Sequence, residues 1–261
     1  MALPALALAA TPAAGLLGTA HDFSSAASSV LGTQYMVRST LSTSYQTSTA
    51  NTVGLCTYCH TPHSALQTAL LWNHKPSTNP KFTWDDATTT GGTAFASLTP
   101  SYKGASVKCL SCHDGSVAIG DISIYKQRTN GTAATNWNTF KIGAGVTQIG
   151  GGGNMSGNHP VGMPYPLGQA NSTYNAILLG SNVDKTEFVG DPTASATAMI
   201  KLYSDAGGTI VGNPAAGTTG MECSTCHDPH NKSTVDDIFL RGKINGSTVA
   251  QGYICVQCHI K

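Results

Sequence analysis

The chain of 261 residues contains eight cysteines, and all eight fall into pairs with two residues between them and a histidine directly behind. The four copies are Cys56-Thr57-Tyr58-Cys59-His60, Cys109-Leu110-Ser111-Cys112-His113, Cys223-Ser224-Thr225-Cys226-His227 and Cys255-Val256-Gln257-Cys258-His259. Two thiols at this spacing can add across the vinyl groups of one haem, and the adjacent imidazole is then aimed at the iron, so C-x-x-C-H is an attachment pattern for a c-type haem. Paired C-x-x-C units also make zinc ribbons and redox dithiols, but neither chemistry needs a histidine at this position. Histidine is only 9 of 261 residues, so four such coincidences are not expected by chance. The implied cofactors are four covalently attached haems. Cys56, Cys59, Cys109, Cys112, Cys223, Cys226, Cys255 and Cys258 would anchor them, and His60, His113, His227 and His259 would be the proximal iron ligands.

The second axial position decides the chemistry. An open iron binds gases or substrates, whereas two strong ligands leave it able only to pass electrons. Five histidines remain, His21, His63, His74, His159 and His230, so every iron can be bis-histidine with one imidazole to spare. His63 and His230 each lie three residues beyond a proximal histidine, with a proline between. They are too close to reach the far face of their own haem, and are expected on its partner: His63 on the Cys109/Cys112 haem, His230 on the Cys255/Cys258 haem. His159 precedes the second pair and is expected on its first haem. His21 and His74 compete for the Cys56/Cys59 haem. His21 is favoured, which makes His74 the spare: a hydrogen-bonding residue at a haem edge, or a ligand for a neighbouring molecule's haem. Met155 and Met163 flank His159. Methionine ligation would raise a potential, but with histidines in surplus both are expected to pack on a porphyrin face. No nucleophile–base pair stands out, and the chain is not read as an enzyme.

The elements that must hold these groups look sparse. Charged residues are 10% and aromatics 7% of the chain, against roughly 25% charged in an ordinary soluble domain. The expected fold is mostly irregular coil with short helices and a few β-hairpins, organised by haem as a multihaem cytochrome c fold. A short helix is expected over Ser64–Trp72, with Ser64 as its cap, and a short strand over Ile122–Tyr125. A hairpin is expected from Ala196 to Val211 around Asp205-Ala206-Gly207-Gly208. Gly150 to Gly153 reads as a flexible loop without the strand-to-helix context of a phosphate site. The motifs also suggest a duplication: C-x-x-C-H-x-P-H then a plain C-x-x-C-H, twice over. Leu71-Trp72-Asn73-His74-Lys75 and Phe239-Leu240-Arg241-Gly242-Lys243 stand at similar offsets in the two units. The division expected is an N-terminal arm over 1–50, a haem-pair module over 51–125, a linker loop over 126–158 and a second module over 159–261.

A net charge of +1 gives no electrostatic case for nucleic acid. No apolar run approaches the roughly 18 residues needed to cross a bilayer. Residues 1–17 are Ala/Leu-rich with A-x-A steps, like the later part of a secretory signal without its basic start. Export is expected, because bacterial haem attachment to this motif occurs outside the cytoplasm.

The combination HDFS (His21 to Ser24), CxxCHTPH (Cys56 to His63), LWNH (Leu71 to His74), CLSCHDG (Cys109 to Gly115), NHPV (Asn158 to Val161) and ECSTCHDPH (Glu222 to His230) resembles the paired-CxxCH multihaem cytochromes. Within them it is similar to tetrahaem extracellular cytochromes of the OmcE type, over roughly residues 21 to 261. The resemblance implies a loop-rich fold and a continuous haem chain through each subunit. It also implies a homo-oligomer, a head-to-tail filament in which a neighbour donates one axial histidine, with His21 or His74 as candidate donors. The function it implies is electron conduction to redox partner cytochromes and external acceptors, at the cell surface or in the extracellular space. The alternatives are a discrete periplasmic or surface shuttle, and a reductase subunit with one open haem.

Overall fold

The computed structural model describes residues 12–16, 19, 21, 56–66, 69–85, 88–89, 91–95, 97–123, 141–144, 148–180, 183–194, 199–235 and 238–260. Most of this backbone is irregular. It carries three short α-helices, α1 (Ser106–His113), α2 (Cys223–Cys226) and α3 (Cys255–Cys258), each built on a cysteine motif. Six strands follow the same economy: β1 (Met163–Pro164), β2 (Thr173–Tyr174), β3 (Ile177–Leu178), β4 (Tyr203–Ala206), β5 (Thr209–Val211) and β6 (Thr219–Met221). They form an antiparallel sheet in the order β1-β6-β4-β5 and a separate β2-β3 hairpin.

The β4–β5 hairpin lies where the glycine pair placed it. Ala206 pairs with Thr209, and Gly207 and Gly208 between them take φ of 63° and 84°, as a two-residue turn requires. The expected first strand is shorter than the sequence suggests. Met199 and Lys201 give their N–H groups to Arg241 and Thr225 instead of a strand partner, so pairing begins at Tyr203, and 195–198 lie outside the described residues. Gly220 sits where β6 crosses Tyr174, and a Cβ there would stand 2.2 Å from the ring.

The helix expected over Ser64–Trp72 does not form. Ser64, Leu70 and Leu71 take φ of 53°, 61° and 51°, and only a 3-10 turn remains at Ala69–Leu71; 67 and 68 lie outside the described residues. The backbone groups are drawn instead to the first cysteine motif. Thr61 N–H donates to Leu71 O, Asn73 N–H to Cys59 O, and His60 bridges Trp72. Ile122 makes an isolated bridge with His74; residues 124–125 of the expected strand lie outside the described residues.

The expected flexible glycine loop is a packed turn. A Cβ on Gly150 would meet Met155, Phe82 and Leu110, and one on Gly153 would stand 2.4 Å from Lys81 O. This turn delivers Met155 into the main apolar cluster of Phe82, Leu98, Val107, Leu110, Val161 and Met163. Both methionines thus pack against protein groups.

The two halves of the chain repeat each other in backbone detail. Asp228 N–H donates to Phe239 O and Arg241 N–H to Cys226 O, matching Thr61–Leu71 and Asn73–Cys59. His227 bridges Leu240 as His60 bridges Trp72. Ile238 and Phe239 are left-handed like Leu70 and Leu71, and Asn231 like Ser64. In this register Arg241 corresponds to Asn73 and Gly242 to His74. The halves are also joined, since α1 packs on α2, and Cys223 N–H donates to Ser106 Oγ at 2.9 Å. Within the expected linker, Met155 lies in the apolar cluster and Ile149 packs against it.

Candidate haem-binding centre

Each cysteine pair occupies one helical turn, which is what puts two thiols on one side of a ring. The turn closes when the histidine N–H reaches the first cysteine's carbonyl, at 2.9 Å for His60 and 3.0 Å for His227 and His259. His227 and His259 then leave the helix in extended conformation, with φ of −109° and −105°, so their rings project away from it. His113 is the last residue of α1.

Five of the eight thiols, Cys59, Cys109, Cys112, Cys226 and Cys258, are held above the ordinary thiol range, whereas Cys223 is pulled below it, first by its Cys109 neighbour. Burial, and then the partner cysteine, raise the Cys59 pKa to about 12 and the Cys226 pKa to about 11, and burial followed by Cys226 raises Cys258 to about 12. The same electrostatic neighbours trace a path. After burial, Cys59 raises the Cys112 pKa; Cys223 is the first cause of the raised Cys109 pKa; and burial, Cys223 and then Cys255 raise that of Cys226. The four motifs therefore follow one another in space in their sequence order.

The histidine rings are held by one nitrogen. A carbonyl can only accept, so each Nδ1 below carries the proton. His60 Nδ1–H donates to Leu70 O at 2.6 Å, His227 to Ile238 O at 3.1 Å, His159 to Pro160 O at 2.9 Å and His21 to Pro229 O at 3.3 Å. That leaves Nε2 as a free lone pair, the arrangement that orients metal-binding imidazoles. Burial, and then the His113 ring, push the His21 pKa down to about 4, favouring the neutral, ligating form.

Six of the nine rings meet in pairs. His60 faces His230 at 6.2 Å between ring centroids, His113 faces His21 at 6.2 Å, and His259 faces His159 at 6.4 Å. Imidazole nitrogen binds a metal at about 2 Å and the ring centre lies about 1 Å behind it, so two rings on opposite sides of one ion stand roughly 6 Å apart. Each pair joins one proximal to one non-proximal histidine. The residues therefore fit a six-coordinate haem at three motifs.

The partners differ from those expected. His230 meets the first motif's histidine, not the fourth's; His21 meets the second's, not the first's; His159 meets the fourth's, not the third's. Sequence spacing assumed that each histidine serves its own half, whereas the fold carries His230 across to His60. His21 reaches His113 because residues 12–16 are tied to the loop after the third motif. Gly15 N–H donates to Asn231 O, and Asn231 Nδ2 donates to Gly15 O, both at 3.0 Å. Phe239 then stacks on the His21 ring at 4.7 Å.

Three histidines stand outside these pairs. His74 is 1% exposed, and its Nδ1 and Nε2 lie 2.8 Å and 3.0 Å from Lys75 O and Ala118 O. With a carbonyl at each nitrogen it is the hydrogen-bonding alternative for the spare histidine. His227 faces no second imidazole among the described residues. His63 is exposed, and no group among the described residues engages its ring.

Two further features suit an apolar, carboxylate-bearing cofactor. Leu70 (59% exposed), Ile238 (51%) and Ile260 (56%) lie bare beside the carbonyls or histidines of the motifs, where burial by a porphyrin would be favourable. Trp72 Nε1, in a ring edge-on to His60, is a buried donor without an acceptor among the described residues. Sequence reasoning passed over Glu222 and Arg241, which touch the motifs from outside them; only the position of Glu222, directly before Cys223, hinted at a role.

No protein-family model matches the chain, and no curated protein matches it either. No helix among the described residues is long and apolar enough to cross a membrane.

Proposed function

We propose that this chain is a tetrahaem c-type cytochrome that carries electrons along a row of bis-histidine haems, polymerised outside the cell into a filament. The observation that carries the reading is the set of three imidazole pairs at 6.2 to 6.4 Å, each containing one motif histidine. Bound haem supplies an iron that exchanges one electron without taking up substrate. The chain's own part is positional. The cysteines would anchor the haems, the Nδ1–H bonds to carbonyls leave the Nε2 of His60, His227, His159 and His21 free to ligate, and the paired imidazoles would hold the iron at three of the motifs. The packing of α1 on α2, with Cys223 N–H on Ser106 Oγ, brings the second and third attachment sites together, and electrons would cross between the two halves there.

His227 and His63 support the assembled form. One is a motif histidine without a facing imidazole, and the other is an exposed imidazole without a partner, both among the described residues. A head-to-tail contact would let His63 of one copy complete the His227 iron of the next, and an interface of that type builds an open filament. His21 and His74, the donors first considered, are engaged within the chain. The unfaced His227 also favours a second reading, a reductase with one open haem.

The test is the reduced spectrum of the haem-loaded chain with and without carbon monoxide, followed by negative-stain microscopy. A low-spin spectrum insensitive to the gas, with filaments on the grid, is expected. Gas binding at one haem in discrete particles would overturn the conduit reading in favour of the reductase.

A further inference from the structure

A buried carboxylate stands where the second and third motifs meet. Glu222 is 1% exposed. It accepts hydrogen bonds from Tyr102 Oη, from Tyr174 Oη at 2.8 Å, and from Ser106 N–H and Oγ–H at 2.9 and 2.5 Å. Four donors fill the acceptor sites of an ionised carboxylate, which has no proton of its own to give. All four are neutral, and no cation pairs with Glu222 among the described residues. The charge is therefore solvated by dipoles but not cancelled.

Its place is specific. Ser106 opens α1, which carries Cys109, and Glu222 directly precedes Cys223; Ser106 Oγ also takes the Cys223 N–H at 2.9 Å. The carboxylate thus sits at the joint between α1 and α2, where the second and third motifs meet. Asp114, 2% exposed and bonded by Ser77, Asn79 and Ser116, is another such anion beside His113, whereas Asp228 next to His227 is offset by Arg241 at 3.7 Å.

We propose that Glu222 is an electrostatic positioning residue, a fixed anion that holds the potentials of the second and third haems below those of the first and fourth. The inference rests on the tetrahaem reading. Reduction adds an electron at the iron and lowers its charge from ferric to ferrous, so a nearby fixed negative charge favours the ferric side. The effect is large where burial keeps the local dielectric low. The interior pair would then form a low-potential step in the middle of the row.

Spectroelectrochemical titration of the full haem-loaded chain and of Glu222→Gln tests this, with exposed Glu187→Gln as the charge control. In Glu222→Gln, two of four one-electron components should move positive by about 59 mV, a tenfold change in the reduced-to-oxidised ratio at fixed potential. The other two should stay, and Glu187→Gln should match the parent. Components that all stay, or all move together, overturn the proposal. Should Glu222→Gln not fold, Tyr102→Phe keeps the charge and removes a compensating dipole. The same two components should then move negative, and their constancy would overturn the proposal. A parent preparation without four haems by pyridine haemochrome assay refutes the tetrahaem reading itself, a result distinct from four haems with unmoved potentials.

Discussion

An imidazole that gives Nδ1–H to a carbonyl has one lone pair left, and the fold decides what that lone pair faces. The ring that stands 6.2 Å from His60 is His230, from the other half of the chain. His230→Ala should therefore convert one haem of four to a high-spin, carbon monoxide-binding form, read by electron paramagnetic resonance and gas difference spectra. Adding His60→Ala should alter no second haem, because in the proposed pairing both side chains would serve one iron; two altered haems would disprove the pairing. His74 should behave differently. Its two ring nitrogens lie against carbonyls, to only one of which a neutral imidazole can donate, so His74→Gln is expected to leave all four haems low-spin while costing about 2 kcal/mol of stability in chemical unfolding. Burial also holds the His74 pKa below its ordinary 6.5. The unfolded chain then takes up a proton that the folded chain refuses, so this contribution is present above pH 6.5 and declines as pH falls below it. The variant should lose that part of the acid slope, seen as a flatter dependence of the unfolding midpoint on pH.

At the scale of elements, the short strands and turns act as clamps between motifs. β6 runs straight into α2, and Gly220 within it lies against Tyr174, itself a donor to Glu222. Gly220→Ala would force its methyl into that ring and into Met163 O, with an expected cost of about 1–3 kcal/mol in denaturant unfolding. A cost near zero would mean that β6 does not hold the tyrosine in place. The hairpin was legible because its signal is local: β-branched residues either side of a glycine pair. The Ser64–Trp72 segment misled because its helical cues competed with a tertiary demand. The chain must fold back so that Leu70 and Leu71 present their carbonyls to His60 and Thr61. The matching left-handed pair Ile238 and Phe239 shows the same demand in the second half.

For the molecule as a whole, the apolar cluster among the described residues is small, and several large apolar side chains beside the motifs are bare. In the tetrahaem reading, bound haem would supply interior that offsets conformational entropy, as a metal does in small metal-dependent domains. Replacing all eight cysteines by serine should give a protein that is largely disordered by far-UV circular dichroism and quickly proteolysed. A cooperative thermal transition in that variant would contradict haem as the organising core. Assembly is tested by His63→Ala, which should keep each subunit folded while turning filaments into particles and exposing one carbon monoxide-reactive haem.

What the sequence alone determined is the set of chemistry-bearing groups: four C-x-x-C-H turns, five further histidines, a duplicated plan and a coil-rich chain with few charges. These follow from covalent spacing and composition, which do not depend on how distant segments meet. What only the tertiary structure decided is which imidazole faces which, that His74 is held by two carbonyls, and that Glu222 sits at the joint of the two halves. Those choices depend on contacts between residues up to about two hundred positions apart, such as His60 with His230 and Gly15 with Asn231. Spacing along the chain carries no information about such contacts, because an irregular backbone has no fixed period to project them.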